Sequence, residues 1–216
     1  MDERIFQVSE IFQSIQGESS YAGLPCSFIR LSGCDLRCRW CDTVYAFENG
    51  ETMTLETILE TVAGFRHRLV EVTGGEPLIQ PDTPSLLKTL CDQGYTVLLE
   101  TAGHLPFGHL DSRVIRIVDV KCPGSGMADR NQPENYQVLN ERDEVKFVLA
   151  NREDYDFARK VLKEWRFGGC ETFYFSPVTG EMELHQLAKW MLEDRLQVRL
   201  QLQLHKIIWP DQNRGV

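Results

Sequence analysis

Three cysteines stand within eight residues, as Cys34, Cys38 and Cys41 in the spacing C-x3-C-x2-C. Thiols this close along the chain reach one metal centre only if the backbone wraps around it. A closed structural zinc site has four protein ligands, so three cysteines leave one coordination position for a cofactor or a substrate. The spacing therefore predicts a thiolate-bound metal centre, either an iron–sulfur cluster or a zinc site completed by a histidine.

A second motif, Gly74-Gly75-Glu76-Pro77, follows a predicted strand about thirty residues after the cysteines. A Gly-Gly pair alone usually marks a tight turn. Together with the cysteine triplet it favours an iron–sulfur centre over redox thiols or over zinc bound with help from one of three histidines, His104, His109 or His205. The remaining cysteines are scattered and are interpreted as small buried hydrophobic residues: Cys26, Cys91, Cys122 and Cys170.

Composition limits the class of protein. The 216 residues fit a single domain spanning 1–216, and 42% hydrophobic with 25% charged residues is ordinary for a globular chain. A net charge of −9 argues against nucleic acid and leaves small molecules or proteins as partners. No apolar run approaches the roughly 18 residues of a membrane span, and seven cysteines without an export signal indicate a reducing cytoplasm.

Strand and helix patterns alternate along the chain. Short apolar runs predict strands at 27–31, 69–73, 96–100, 114–118, 145–149, 172–175 and 198–204. Amphipathic patterns predict helices at 55–65 (capped by Thr54), 86–91, 154–165 (capped by Asn151) and 182–192. This α/β order indicates a parallel sheet, and about six or seven strands are too few for a full eight-unit barrel. We therefore expect an abbreviated, open (βα) partial TIM-like barrel.

The motifs fall where the predicted strands end. The cysteine loop follows the first core strand, and Gly74–Pro77 follows the second. Thr101–Gly103 and Lys121–Pro123 follow the third and fourth. Since the carboxyl ends of parallel strands share one edge of the sheet, we expect the chemistry to gather there.

The motifs together resemble the radical S-adenosylmethionine (SAM) superfamily and, within it, the 7-carboxy-7-deazaguanine synthase family. The residues that carry the resemblance are 10–18, 28–34, 41–43, 73–77, 99–103 and 204–206. The resemblance implies that three cysteines bind a 4Fe-4S cluster whose fourth iron is chelated by the amino and carboxylate groups of SAM. It also implies a radical SAM fold over nearly the whole chain.

Roles of individual residues follow from the resemblance. It implies a cluster bound by Cys34, Cys38 and Cys41, Mg²⁺ bound by Thr43, and SAM contacts by Trp40, Cys41, Asp42, Gly75, Glu76, Asp119, Lys121, Ser176 and Val178. It implies substrate contacts by Ile15, Gln16, Gly17, Arg30, Thr73, His205 and Val216. Glu100, at a predicted strand end, is a candidate for late proton transfers. Arg30 lies inside an apolar predicted strand, and its guanidinium suits bidentate hydrogen bonding to a substrate carboxylate. A structural ion pair is the alternative interpretation.

The reaction implied by the resemblance is the SAM-dependent ring contraction of 6-carboxy-5,6,7,8-tetrahydropterin to 7-carboxy-7-deazaguanine, with loss of ammonia. It requires an electron donor, flavodoxin or ferredoxin, for which Arg37 and Arg39 beside the cluster cysteines offer a basic docking surface. The resemblance also implies a homodimer. Two alternatives stay open: another radical SAM enzyme, such as a glycyl-radical activase, and a zinc-bearing interaction module.

Overall fold

The fold is described from a computed structural model over residues 4–48 and 50–216. Within these residues nine strands form one sheet, in the order β3-β1-β2-β4-β5-β6-β7-β8-β9. The strands are β1 (Ile5–Ile15), β2 (Pro25–Leu31), β3 (Glu51–Thr54), β4 (Leu69–Gly74), β5 (Thr96–Thr101), β6 (Ile115–Val120), β7 (Glu144–Leu149), β8 (Thr172–Pro177) and β9 (Arg199–Leu200). From β2 through β4 to β9 all pairs are parallel, whereas β1 runs antiparallel to β2 and β3.

The α-helices of these two ranges are α1 (Leu55–Phe65), α2 (Thr83–Asp92), α3 (Arg152–Glu164), α4 (Leu184–Glu193) and α5 (Leu204–Ile208). Two predicted caps are confirmed, since the side chain of Thr54 accepts from Thr57 N and that of Asn151 from Asp154 N. None of the helices described has the length and apolar character needed to cross a membrane.

The two faces of the sheet carry different residues because side chains alternate along each strand. One face packs its aliphatic residues, such as Ile29, Val72 and Leu99, against α1 and α2. The other face is apolar at the amino ends of the strands, where Phe28, Leu98 and Ile117 cluster with neighbours. Toward the carboxyl ends that same face turns polar: register places Arg30 beside Thr73 and Asp119 beside Lys146. The open, mostly parallel sheet thus confirms the predicted α/β class and holds a polar site above an apolar base.

The predicted strand at 198–204 is wrong in extent. Only Arg199 and Leu200 pair with β8, and helix α5 begins at Leu204. The alternation of leucine and glutamine there suits an edge strand, but Leu204 N donates to Gly17 O at 3.1 Å and turns the chain across the end of the sheet. His205 therefore lies on a helix and not near a strand end.

Strands β1 and β3 were not predicted. In β1 most side chains are only partly buried, and polar residues such as Glu10 and Gln13 interrupt any apolar run. The strand is held by antiparallel pairing to β2 on one side and to β3 on the other. A strand defined by its neighbours more than by its own hydrophobicity leaves little periodic signal.

Candidate active site

A cavity of about 600 Å³ opens at the carboxyl ends of the parallel strands. Its walls come from the cysteine loop, the turns after β4 and β5, the inner face of β6 and β7, and the C-terminal segment. All but two of the predicted site residues line it: Ile15, Gln16, Gly17, Arg30, Cys34, Cys38, Trp40, Cys41, Asp42, Thr43, Thr73, Gly75, Glu100, Asp119, Lys121, Val178, His205 and Val216. The fold therefore brings motifs that are distant in sequence to one cavity.

The cysteine loop leaves β2 through Gly33, whose φ of +101° favours glycine. Cys41 N donates to Cys38 O at 3.2 Å, which tightens the loop, and all three thiols border the cavity. Burial raises the pKa of each thiol above its ordinary value. A metal centre is the natural group to hold buried thiols as thiolates, because metal binding displaces their protons.

The three thiols suit a cluster by their arrangement as well. Among residues 4–48 and 50–216, no group of three or more His, Cys, Asp or Glu side chains is arranged to hold a metal ion. Cysteines that ligate a four-iron cluster bind separate iron atoms, so they stand further apart than ligands of one ion. The donor set and its position at the cavity wall fit an iron–sulfur cluster.

The glycine turn after β4 packs directly against the cysteine loop. Glu76 N donates to Gly33 O at 2.8 Å, and Gly75 N donates to Leu31 O at 3.2 Å. A Cβ added at Gly75 would lie 2.4 Å from Gly33 O and 2.6 Å from the Cβ of Cys34. Only glycine leaves room for this contact, and its bare backbone faces the cavity beside the thiols.

Glu76 is one of the two predicted residues that do not line the cavity. Its side chain is fully buried, and its carboxylate accepts hydrogen bonds from Thr101 Oγ1, Ala102 N and Leu78 N. Burial raises the pKa of this carboxyl group, and those donors partly offset the rise. In this arrangement Glu76 ties the glycine turn to the end of β5, and its contact with SAM stays a prediction.

Ser176 is the second predicted site residue that does not line the cavity. It is fully buried in β8, and its Oγ has no hydrogen-bond partner among the described residues. Register pairs it with Val148, which does border the cavity, so the serine faces the cavity side of the sheet from beneath the surface. Its predicted contact with SAM stays a prediction as well.

Two charged pairs border the same cavity as the cysteine loop. Lys121 Nζ donates to Asp119 Oδ2 at 3.0 Å. Burial acts to lower the pKa of Lys121, but Asp119 and Cys38 outweigh it and the pKa is raised. Lys206 Nζ lies 2.9 Å from Asp42 Oδ2, and this cation keeps the pKa of Asp42 below its ordinary value despite burial. Thr43 Oγ1 donates to Asp42 Oδ1 at 3.1 Å.

Arg30 combines both interpretations offered by the sequence. Its Nε donates to Glu10 Oε1 at 2.8 Å, and its guanidinium lies over the rings of Phe12 and Tyr45. Its side chain is 13% exposed, and that exposed part borders the cavity. The ion pair with Glu10 fixes the guanidinium in a position from which it can bind an anionic group.

The C-terminal segment closes one side of the cavity. The ring of His205 packs against Gly17, where an added Cβ would lie 3.0 Å from His205 Nδ1. Burial lowers the pKa of His205. Trp209, Pro210 and Val216 also border the cavity. The chain end thus packs against the residues predicted to bind substrate.

Sequence reasoning missed several polar residues in and behind the cavity wall. Lys146 and Glu71 lie inside strands that were interpreted simply as apolar core. Glu10 holds Arg30, and its carboxylate accepts from both Arg30 Nε and Tyr45 OH. Nearby Glu100 accepts from Lys146 Nζ at 2.5 Å and from Thr73 Oγ1 at 3.3 Å. The sequence signal for Glu71 and Lys146 is a charged residue flanked by apolar residues within a predicted strand. Arg30 shows the same pattern and lies on the polar face of the sheet.

Comparison with known proteins identifies the class first. Residues 28–121 match the model of the radical SAM superfamily, a range that contains the cysteine loop and the glycine turn. The QueE crystal structure from Escherichia coli has the same fold, with a TM-score of 0.76 over 91% of this chain and 94% of that one, at 22% sequence identity. The fold and the cysteine loop are thus those of a radical SAM protein.

Full-length relatives narrow the class. The chain is 50% identical to the 7-carboxy-7-deazaguanine synthase of Chlorobaculum tepidum, over 99% of both chains. It is 41% identical to that of Koribacter versatilis, over 97% of this chain and 100% of the relative. The chain belongs to the 7-carboxy-7-deazaguanine synthase family. Membership in this radical SAM family implies a 4Fe-4S cluster and SAM as cofactors.

Proposed function

We propose that this protein is a 7-carboxy-7-deazaguanine synthase, a radical SAM lyase that converts 6-carboxy-5,6,7,8-tetrahydropterin to 7-carboxy-7-deazaguanine and ammonia. The observation that carries the proposal is one cavity that joins three thiols to a set of buried polar groups. Relatives that share its full length and bear this name support the same activity. A glycyl-radical activase or a zinc interaction module has no comparable support.

The cysteine side of the cavity is proposed to hold the cofactors. Cys34, Cys38 and Cys41 would ligate the cluster, and the bare backbone at Gly75 would let SAM approach its free iron. When bound, the cluster and SAM supply the hydrogen-atom abstraction at C6 that begins the ring contraction. Trp40, which borders the cavity inside the loop, helps to exclude water from this side.

The remaining SAM contacts are proposed for the side chains that frame that wall. They are Asp42, Asp119, Lys121 and Val178, together with Glu76 and Ser176, which act from behind the cavity surface. Thr43 contributes a hydroxyl to Mg²⁺. One neutral ligand cannot hold that ion alone, so substrate oxygens and water complete its coordination.

The opposite side of the cavity is proposed to hold the pterin. The guanidinium of Arg30, fixed by Glu10, would bind the substrate carboxylate through two parallel hydrogen bonds. The other contacts proposed, through backbone and polar groups, are those of Ile15, Gln16, Gly17, Thr73, His205 and Val216. Glu100 is the proposed proton-transfer group.

An external donor, flavodoxin or ferredoxin, is proposed to reduce the cluster from the face that carries Arg37 and Arg39. The structure gives both arginines further contacts. The two terminal nitrogens of Arg39 bind Glu181 at 2.9 and 2.6 Å, which offsets its charge, whereas Arg37 binds the carbonyls of Cys34 and Leu36. Arg37 is therefore the stronger candidate for contact with an acidic donor.

The assembly and setting of the enzyme belong to the same proposal. We infer a single domain over 1–216 that acts as a homodimer. All seven cysteines are free, which supports a reducing compartment such as the cytoplasm.

Anaerobic turnover tests the proposal. Reconstituted protein is mixed with carboxytetrahydropterin, SAM, Mg²⁺ and a reductant, and the product is identified by mass spectrometry alongside an ammonia assay. We expect equal amounts of 7-carboxy-7-deazaguanine and ammonia. Cys38→Ala should abolish both, whereas Cys170→Ala, at a buried thiol remote from the cysteine loop, serves as the matched control. Unchanged pterin with the intact wild-type cluster would overturn the proposal.

A further inference from the structure

A chain of hydrogen bonds crosses the base of the cavity, with Lys146 at its centre. Lys146 Nζ lies 2.5 Å from Glu100 Oε1 and 2.7 Å from Glu18 Oε2. Beyond these two carboxylates, Thr73 Oγ1 donates to Glu100 at 3.3 Å and Gln203 Nε2 donates to Glu18 at 2.8 Å. The lysine side chain is 5% exposed, and that part borders the cavity. An ammonium group thus sits between two carboxylates, within the site proposed for substrate.

We propose that Lys146 is the acid that protonates the nitrogen leaving as ammonia, paired with Glu100 as the base that takes the neighbouring C–H proton. The inference rests on the proposed function, because a reaction that releases ammonia needs a proton donor at the departing nitrogen. It concerns only the elimination that follows the ring contraction.

The step balances within the pair. Glu100 takes a proton from ring carbon, and the C–H electrons form a carbon–carbon double bond while the carbon–nitrogen bond breaks with its electrons going to nitrogen. Lys146 gives that nitrogen a proton, so that an amino group leaves as ammonia. The proton on Glu100 then passes across its hydrogen bond to the neutral Lys146. Both residues return to their starting state, and no external oxidant or reductant is consumed.

The charges around the pair favour this sequence of transfers. Burial acts to lower the pKa of Lys146, but Glu100 and Glu18 outweigh it and raise the pKa well above its ordinary value. Burial acts to raise the pKa of Glu100, but the charge and hydrogen bond of Lys146 outweigh this effect, so the pKa of Glu100 is lowered. Once Glu100 accepts a proton, one of the two anions that stabilise the ammonium is lost, and Lys146 becomes a stronger acid.

Other cations at the cavity are less suited to this role. The guanidinium of Arg30 cannot give up its proton in a protein. Lys121 is paired with Asp119 on the cysteine side, and Lys206 with Asp42, where its side chain is 30% exposed. Among these cations, Lys146 is the one hydrogen-bonded to the candidate base.

The test separates proton donation from charge. Lys146→Arg keeps a cation between the two carboxylates but cannot donate a proton. Lys146→Met keeps most of the length and removes the charge. Lys88→Arg, at an exposed lysine paired with Asp92, is the matched control. Each variant is assayed for melting temperature, cluster content and substrate dissociation constant. Hydrogen-atom abstraction is followed as the exchange of deuterium from C6 of labelled substrate into SAM, and ammonia release is measured in a single turnover.

We expect Lys146→Arg to bind substrate and exchange deuterium as the wild type does, but to release ammonia about 100-fold more slowly or worse, since general acids contribute that much. A contracted, still aminated product should accumulate. Lys146→Met should show the same block, and it decides the question if the arginine variant does not fold. Normal ammonia release by either variant, or loss of deuterium exchange together with ammonia release, would overturn the inference. If the wild type itself releases no ammonia from the pterin, the proposed function fails instead.

Discussion

The contact between the glycine turn and the cysteine loop offers a severe test of the site. Gly75 does not adopt a positive φ, so alanine is compatible with its backbone, and the effect of Gly75→Ala comes from the added methyl group alone. That methyl would lie 2.4 Å from Gly33 O and 2.6 Å from the Cβ of Cys34. Neither neighbour is the free end of a flexible side chain, so the loop and the turn must separate.

The expected cost has two parts. Overpacking in a tight interior costs about 1–3 kcal/mol, and the rigid neighbours favour the upper end of that range. Separation also weakens the bond from Glu76 N to Gly33 O at 2.8 Å, a net loss of about 1 kcal/mol. A total of about 4 kcal/mol is a large part of ordinary domain stability and lowers the melting temperature by about 8–16 °C.

Two measurements check this prediction. Urea unfolding of the apoprotein gives the free energy of unfolding, and iron and sulfide analysis after anaerobic reconstitution gives cluster occupancy. Gly75→Ala should lower both, because the displaced turn moves Cys34. Gly64→Ala is the control: a Cβ there meets nothing within 4 Å, and helix α1 should gain about 0.5–1 kcal/mol. Wild-type stability and cluster content in Gly75→Ala would refute the proposed contact.

Three further substitutions test other parts of the site and fold. Arg30→Lys keeps the charge but loses the planar fork, so the substrate dissociation constant should rise about 10–100-fold, the equivalent of 1.5–3 kcal/mol; an unchanged constant would contradict carboxylate binding. Burial raises the pKa of Glu71 in the folded protein above the ordinary pKa of a glutamate. The contribution of Glu71 to stability is therefore complete at pH values below that ordinary pKa, and it is lost as the pH rises through the raised pKa of the folded state. Glu71→Gln should therefore gain stability relative to wild type in urea unfolding as the pH is raised above 4.5, the ordinary pKa of a glutamate, and a constant difference would refute this. Asn151→Ala should cost about 1 kcal/mol of unfolding free energy without loss of cluster, because its side chain caps α3; no cost would contradict the cap.

Much of the fold could be predicted because its signals are local. The helix at 55–65 was predicted with its exact bounds, since Thr54 caps it and its apolar positions repeat with helical spacing. The parallel strands were recognised because short apolar runs alternate with amphipathic helical patterns along the chain. Strand β1 and the turn near the end of the chain were not recognised. Strand β1 depends on pairing with β2, and the turn at Leu204 depends on a backbone hydrogen bond to Gly17. Interactions between distant residues leave no periodic signal in the chain.

The site shows the same division. The cysteine loop and the glycine turn could be found because their residue types and spacing are specific. Lys146 and Glu71 could not, since each looks like an isolated charge in an apolar strand until register brings it beside residues of other strands. Glu76 was placed at the cavity from its motif, yet its carboxylate is directed to Thr101 and Ala102. A motif identifies a residue more readily than the direction of its side chain.

The central claim is that Cys34, Cys38 and Cys41 hold a four-iron cluster whose remaining iron binds SAM. Electron–nuclear double resonance of the reduced, anaerobic protein with SAM labelled by ¹⁵N at its amino group tests this most directly. The account predicts a hyperfine coupling between the labelled nitrogen and the cluster, which disappears when SAM is omitted. A protein that carries a fully ligated metal centre, and shows no coupling with SAM in excess, would contradict it.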